Sequence, residues 1–229
     1  MYWDYGFGIL LTTLLLAFTL GSNGTEGRSF LSDMKQAESA NLLSAFAGGV
    51  VFNLANILLV AAIGIAGMSV AFPVGIGIAL VLGVVVNYIS TPQGNPVLIF
   101  GGVALITLAI VLNARAYQKL QTNAEGGISK KGLILSVVSG CLMGLFYKYV
   151  AGSMVTNFNV PDAGKLTPYT ALVLFAIGIV ISSFVFNTLQ MMRPFSGTPV
   201  TFSTYFTGLT RDHLIGVLGG VIWCVGMSL

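Results

Sequence analysis

GGVVFNLANIL, residues 48–58, decides the fold class of this chain. It holds two carboxamides, Asn53 and Asn56, in the longest uncharged part of the sequence: between Ser39 and Ala114 there is no Asp, Glu, Lys or Arg. A water-soluble domain is about 25% charged, and a run of this length without charge leaves too little polar surface for one. The run is long enough to cross a bilayer more than once as helix. Within it, a carboxamide without a partner is costly to bury, so Asn53 and Asn56 need a reason to be there.

The rest of the chain agrees. Of 229 residues, 55% are hydrophobic and 7% charged, with a net charge of +3. The basic residues are scattered over several loops, so they do not form a nucleic-acid patch. Cys141 and Cys224 both fall in apolar runs, which reads as two buried thiols rather than a disulfide or a metal site. The first apolar run begins almost at Met1 without a basic leader, and reads as a span rather than a cleaved signal peptide.

Seven spans of about 20 residues are predicted, at 2–20, 41–63, 68–89, 97–117, 132–154, 168–191 and 212–229. Strands are a poor alternative, because the apolar runs are continuous rather than alternating. GIAG makes a tight turn after the second span, and STPQGNP a turn cluster after the third. The charged linker 118–131 separates a first half, 1–117, from a second, 132–229. Asn23-Gly24-Thr25 is a formal glycosylation triplet. The linker and the loop after the sixth span carry Arg115, Lys119, Lys130, Lys131, Arg193 and Arg211. The loops on the other side carry Arg28, Lys35 and Lys165. The richer side is expected to be cytoplasmic, with Tyr2, Trp3 and Tyr5 as an interfacial aromatic cluster.

An internal repeat shows in the last span. GGVIWCVGMSL at 219–229 aligns with GGVVFNLANIL at 48–58, a shift of 171 residues. The same shift carries 2–20 to 173–191, inside the sixth span. The first two spans then match the last two, which predicts a unit of five helices and a whole of ten. Seven of the ten would be in this chain, with the first and the last two outside it. An odd number of spans per unit inserts the second unit upside down, as in many transporters.

Candidate site residues follow from polar or helix-breaking groups inside spans. Asn53 and Asn56 share a face with Gly49. They read either as glue between helices or as a polar wall around a solute. Pro73 leaves the Ser69 carbonyl without its helical partner, and reads as a packing kink or as a deformable point in a pathway. Lys148 is the one charge well inside a span. It either snorkels or faces the bundle interior, beside Tyr147 and Phe146, which can stack on a ring. Gly140 to Gly144 is a close-packing GxxxG. Trp223 falls mid-span, where its indole N–H needs a partner. Asp4, Asp212 and His213 read as solvated or interfacial helix starts. HExxH, CxxC and phosphate-binding glycine loops are all absent from the sequence, so neither an enzyme nor a cofactor or metal site is expected.

GGVVFNLANILLVAAIGIAGMSVAFPVGIGIALVLGVVVNY, from Gly48, resembles the third and fourth helices of ureide permeases and their bacterial relatives. GTPVTFSTYFTGLTRDHLIGVLGGVIWCVG, from Gly197, resembles the loop and eighth helix of the same family. That family belongs to the drug/metabolite transporter superfamily, beside glucose and rhamnose porters. The resemblance implies an all-α membrane protein with two inverted five-helix halves in a bacterial inner membrane. It also implies a central solute site lined by the second, third, fifth and seventh spans, hence by Asn53, Asn56, Pro73, Lys148 and Trp223. Its members move small polar solutes, often with protons. The linker here is short and lacks the nucleotide-binding-like motif of the plant proteins, which argues against plant ureides as substrate. The expected function is alternating-access transport of a sugar, nucleobase or ureide. Export of lipophilic compounds and a non-transporting scaffold are the alternatives.

Overall fold

The structure is a computed structural model that describes residues 2–23, 27–90, 92–121 and 129–228, with the backbone alone at 117–121. The glycosylation triplet lies partly outside the described residues, and so does the linker, at 122–128. The described residues are all-helical: α1 (Tyr2–Phe18), α2 (Phe30–Gln36), α3 (Ser39–Ala66), α4 (Met68–Ser90), α5 (Pro96–Gln121), α6 (Lys130–Ser153), α7 (Pro168–Met192), α8 (Phe202–Phe206) and α9 (Thr210–Ser228). Long apolar runs become helices because hydrocarbon offers backbone groups no other partner. Gly67 ends α3: its φ of 80° suits glycine, and its N–H closes on the Ile63 carbonyl at 2.9 Å.

Five helices are long and apolar enough to cross a membrane: α3, α4, the Pro96–Ala116 part of α5, α6 and α7. The first predicted span forms α1, an apolar helix of 17 residues, about 25 Å at 1.5 Å per residue. The last forms α9, 19 residues that open on Thr210-Arg211-Asp212-His213. Two short helices, α2 and α8, lie between the predicted spans. At seven and five residues they are too short to show a period. Tertiary packing makes α2: Phe30 at its start is buried with Ala17 and Val173.

The chain divides into two compact units, Met1–Asn53 with Tyr149–Leu229, and Leu54–Lys148. In the first, α7 is the spine and is buried without interruption from Thr170 to Ala176. α1 runs antiparallel to it. The Trp3 and Phe184 rings lie 4.8 Å apart at one end, Gly6 faces Ile179 and Val180, and Gly21 faces Tyr169 at the other end.

One contact occurs twice in this unit. Where α3 crosses α7, a Cβ on Gly49 would fall on the Phe175 carbonyl, and one on Gly178 on the Phe46 carbonyl. Where α9 crosses α1, a Cβ on Gly220 would fall on the Tyr5 carbonyl, and one on Gly8 on the Val217 carbonyl. Phe46 and Gly49 correspond to Val217 and Gly220 at a shift of 171. Tyr5 and Gly8 correspond to Phe175 and Gly178 at 170. The sequence match had used 171 for both pairs. The second copy carries one extra residue between its two glycines, which accounts for the difference. α2 and α8 fall at matching places between them.

In the second unit, Gly140 and Gly144 of α6 press on α4. A Cβ on Gly140 would collide with the Gly75 carbonyl, and one on Gly144 would lie 2.8 Å from the Leu82 Cβ. This is the close approach that a GxxxG spacing permits. The Ser139 hydroxyl donates to the Ala55 carbonyl at 2.6 Å. α4 remains helical through Pro73. α5 packs on α4, with Ile110 beside Gly77 and the Tyr88 and Phe100 rings 5.2 Å apart. No residue of α5's apolar stretch is buried.

Candidate functional site

Asn53 is 2% exposed. Its amide nitrogen has three acceptors on α7: the Ile179 carbonyl at 3.2 Å, the Ser182 hydroxyl at 2.9 Å and the Ser183 hydroxyl at 3.1 Å. Both hydroxyls donate in turn to the Ile179 carbonyl, at 3.1 and 2.8 Å. Two amide hydrogens are thus shared among three acceptors in a closed network, the geometry of interhelical glue. The glycine crossing one turn earlier, Gly49 against Gly178, brings the backbones close enough for so short a side chain to bridge.

The residue before Asn53 leads to the aromatic group of this unit. The Phe52 ring lies 4.7 Å from Trp223, and Trp223 stacks on Phe175 at 5.8 Å and 15°. Tyr5 meets the same indole at 6.5 Å, edge-on. Asn53 and Trp223 are therefore brought together through Phe52 and Phe175. Asn56, Pro73, Tyr147 and Lys148 belong to the second unit. There Asn56 and Pro73 are half-buried, whereas Tyr147 and Lys148 are exposed on α6. Cys141 and Cys224 are free thiols, the second fully buried.

Sequence reasoning missed two polar clusters, at opposite ends of α7. At its C-terminal end Asp4, 6% exposed, accepts from the Tyr205 hydroxyl at 2.7 Å and lies 2.9 Å from His213 Nδ1. His213 Nε2 lies 3.1 Å from the Tyr205 carbonyl. A carbonyl only accepts, so Nε2 carries a hydrogen, and the Nδ1–Asp4 contact needs another proton on one of its two members. Burial first, then the bond to Asp4, pushes the Tyr205 phenol up from its ordinary value. The partners of Asp4 lie about 200 residues away, so no local pattern reveals them. Asp4 itself, an acid inside an apolar run, was the available signal.

At the other end Asp33, fully buried, accepts from Arg28 Nε at 2.8 Å, and from the Thr167 N–H at 2.7 Å and its hydroxyl at 3.0 Å. Arg28 also donates to the carbonyls of Pro161, Asp162 and Lys165 at 2.8–2.9 Å. A cavity of about 240 Å³ lies beside this clasp, lined by Ser22, Arg28, Phe158, Thr167 and Tyr169 among others. With its N–H groups largely taken by the protein, Arg28 acts there as a tie between loops. No grouping of His, Cys, Asp and Glu suited to a metal ion occurs among the described residues.

The sequence profile of the ureide permease family matches residues 1–130. Ureide permease 3 of Arabidopsis thaliana is 26% identical over 251 residues, which covers 96% of this chain and 72% of that protein. Ureide permease 2 of the same plant is 29% identical over 133 residues, or 56% of this chain and 33% of that protein. The L-rhamnose-proton symporter of Shigella dysenteriae serotype 1 (strain Sd197) is 27% identical over 201 residues, or 80% of this chain and 58% of that protein. No solved structure matches the chain. Helices long and apolar enough to span, with a few bonded polar groups, together with these relatives, define a multi-pass membrane permease rather than an enzyme. The chain belongs to the ureide permease family.

Proposed function

We propose that this permease moves a neutral sugar, nucleobase or ureide by alternating access, with protons as the coupling ion. The architecture would be ten helices in two inverted five-helix halves, of which seven are in this chain. The halves are 1–117 and 132–229, joined by the linker 118–131. The observation that carries this reading is the doubled glycine crossing. Equivalent helices, α1 and α7, run antiparallel, as two oppositely inserted copies require. The relatives named for L-rhamnose with protons and for ureides support the solute class and the coupling ion. Within the first unit, Trp223 is proposed to contact solute and Asn53 to hold the helix that bears Phe52. Within the second, Asn56, Tyr147 and Lys148 are proposed contacts and Pro73 the deformable point. The loops around 118–131 and 193–211 are proposed to face the cytoplasm of a bacterial inner membrane, a reading their Lys and Arg support.

The test is uptake of radiolabelled L-rhamnose and uracil into proteoliposomes holding the protein, with and without an inward proton gradient. Saturable uptake of either probe that rises with the gradient is expected. No uptake of either, with resistance to lipophilic compounds in cells, would replace this reading with export.

A further inference from the structure

Two buried donors in the first unit have no partner among the described residues: Trp3 Nε1, in a residue 8% exposed, and Asn187 Nδ2, in a residue 4% exposed. They belong to one locality. Trp3 packs edge-on against Phe184 of α7 at 4.8 Å, and Asn187 stands three residues further along the same helix, less than one turn. Phe202, at the start of α8, lies 6.3 Å from the same indole.

The other buried polar residues in this part of α7 are settled. The Ile179 carbonyl and the Ser182 and Ser183 hydroxyls are closed into the network with Asn53. Asn187, one turn beyond Ser183, continues that polar line but ends it with an open amide. A stranded N–H in a dry interior is penalised for desolvation and gets nothing back. Such groups persist at functional sites, where a ligand supplies the missing partner.

We propose that Trp3 Nε1 and Asn187 Nδ2 form a binding site for an acceptor oxygen, a carbonyl or hydroxyl, of the transported neutral solute. The proposal rests on the transport reading above. Both groups are neutral donors, which suits an uncharged acceptor. An indole N–H lies in the ring plane, so the oxygen is held at the edge of Trp3. This gives Trp3 a role beyond that of an interfacial aromatic.

The experiment compares Trp3→Phe and Asn187→Leu with the parent protein in proteoliposomes. L-rhamnose and uracil are the probes, and each variant's unfolding temperature is measured without solute. Both substitutions remove the donor; Asn187→Leu keeps the bulk, whereas Trp3→Phe also gives up part of the ring system. Loss of one neutral hydrogen bond is expected to raise KM about two- to tenfold for the probe that is carried. The solute-free unfolding temperature of Asn187→Leu is expected to hold or rise, because a stranded donor has been removed without loss of volume. That combination separates a binding role from a structural one, since a structural donor would lower the unfolding temperature when lost. Unchanged KM in both variants, with uptake intact, would overturn the site and leave the transport reading standing. A fall in the unfolding temperature of Asn187→Leu would overturn it as well, by showing that this donor has a partner in the fold. Absence of uptake of either probe by the parent protein would overturn the transport reading and the site together.

Discussion

Replacing Asn53 by alanine tests whether the second helical carboxamide line is clamp or wall. The side chain donates two hydrogens to α7, and an interhelical hydrogen bond within a membrane bundle contributes about 0.6 kcal/mol, at most about 1.7. Two such bonds give roughly 1.2 kcal/mol. Truncation also empties a site that is 2% exposed, and residual void around so short a side chain adds about 1 kcal/mol. No donor is stranded, because the Ser182 and Ser183 hydroxyls keep the Ile179 carbonyl at 3.1 and 2.8 Å. The expected cost of Asn53→Ala is therefore about 2 kcal/mol, read as a shift in the unfolding midpoint in detergent. A double-mutant cycle with Ser183→Ala should return a coupling of about 0.6 kcal/mol. If Asn53→Ala leaves the midpoint where it was, shows no coupling to Ser183, and raises KM tenfold, the amide serves the solute and the clamp assignment is wrong.

Two further outcomes follow from the same unit. Gly49→Ala and Gly220→Ala each place a methyl on a backbone carbonyl of the facing helix, so each should cost about 2 kcal/mol or more. Similar losses at the two positions, measured by detergent unfolding, are expected of equivalent crossings, and a tolerated alanine at either one would break the equivalence. Arg28→Ala removes a charged partner from fully buried Asp33, which keeps its bonds from Thr167. A loss of about 2–3 kcal/mol is expected, and Arg28→Lys should not restore it, because an ammonium cannot reproduce the fork reaching Asp33 and three carbonyls. Full stability of the lysine variant would contradict that account.

Much of the site was visible in outline but not in role. Asn53 and Trp223 stood out because polar or mid-span groups in an apolar run are rare. What the side chains do there depended on α7, which supplies Ser182 and Ser183 to Asn53 from more than 120 residues away and Phe175 to Trp223 from 48. In sequence Asp4 reads as a solvated helix start, and Asp33 lies between two predicted spans. Both proved buried, because α2 and α8 fold back onto the ends of α7 and α1 and carry the loops with them. Short helices of this kind owe their existence to packing, so a local window is blind to them.

By itself the sequence determined the class of protein, the positions of the long helices and the existence of a duplicated glycine pair. Each of these is a local property: apolar length sets a span, and a residue pattern repeats whether or not it is folded. The tertiary structure alone decided which helices those glycines bring together, and that the two copies are offset by 170 and 171 residues. It also decided which polar groups end with partners and which, at Trp3 and Asn187, have none among the described residues. A hydrogen bond needs its two groups within about 3 Å, and only the folded chain sets that distance between residues far apart in sequence.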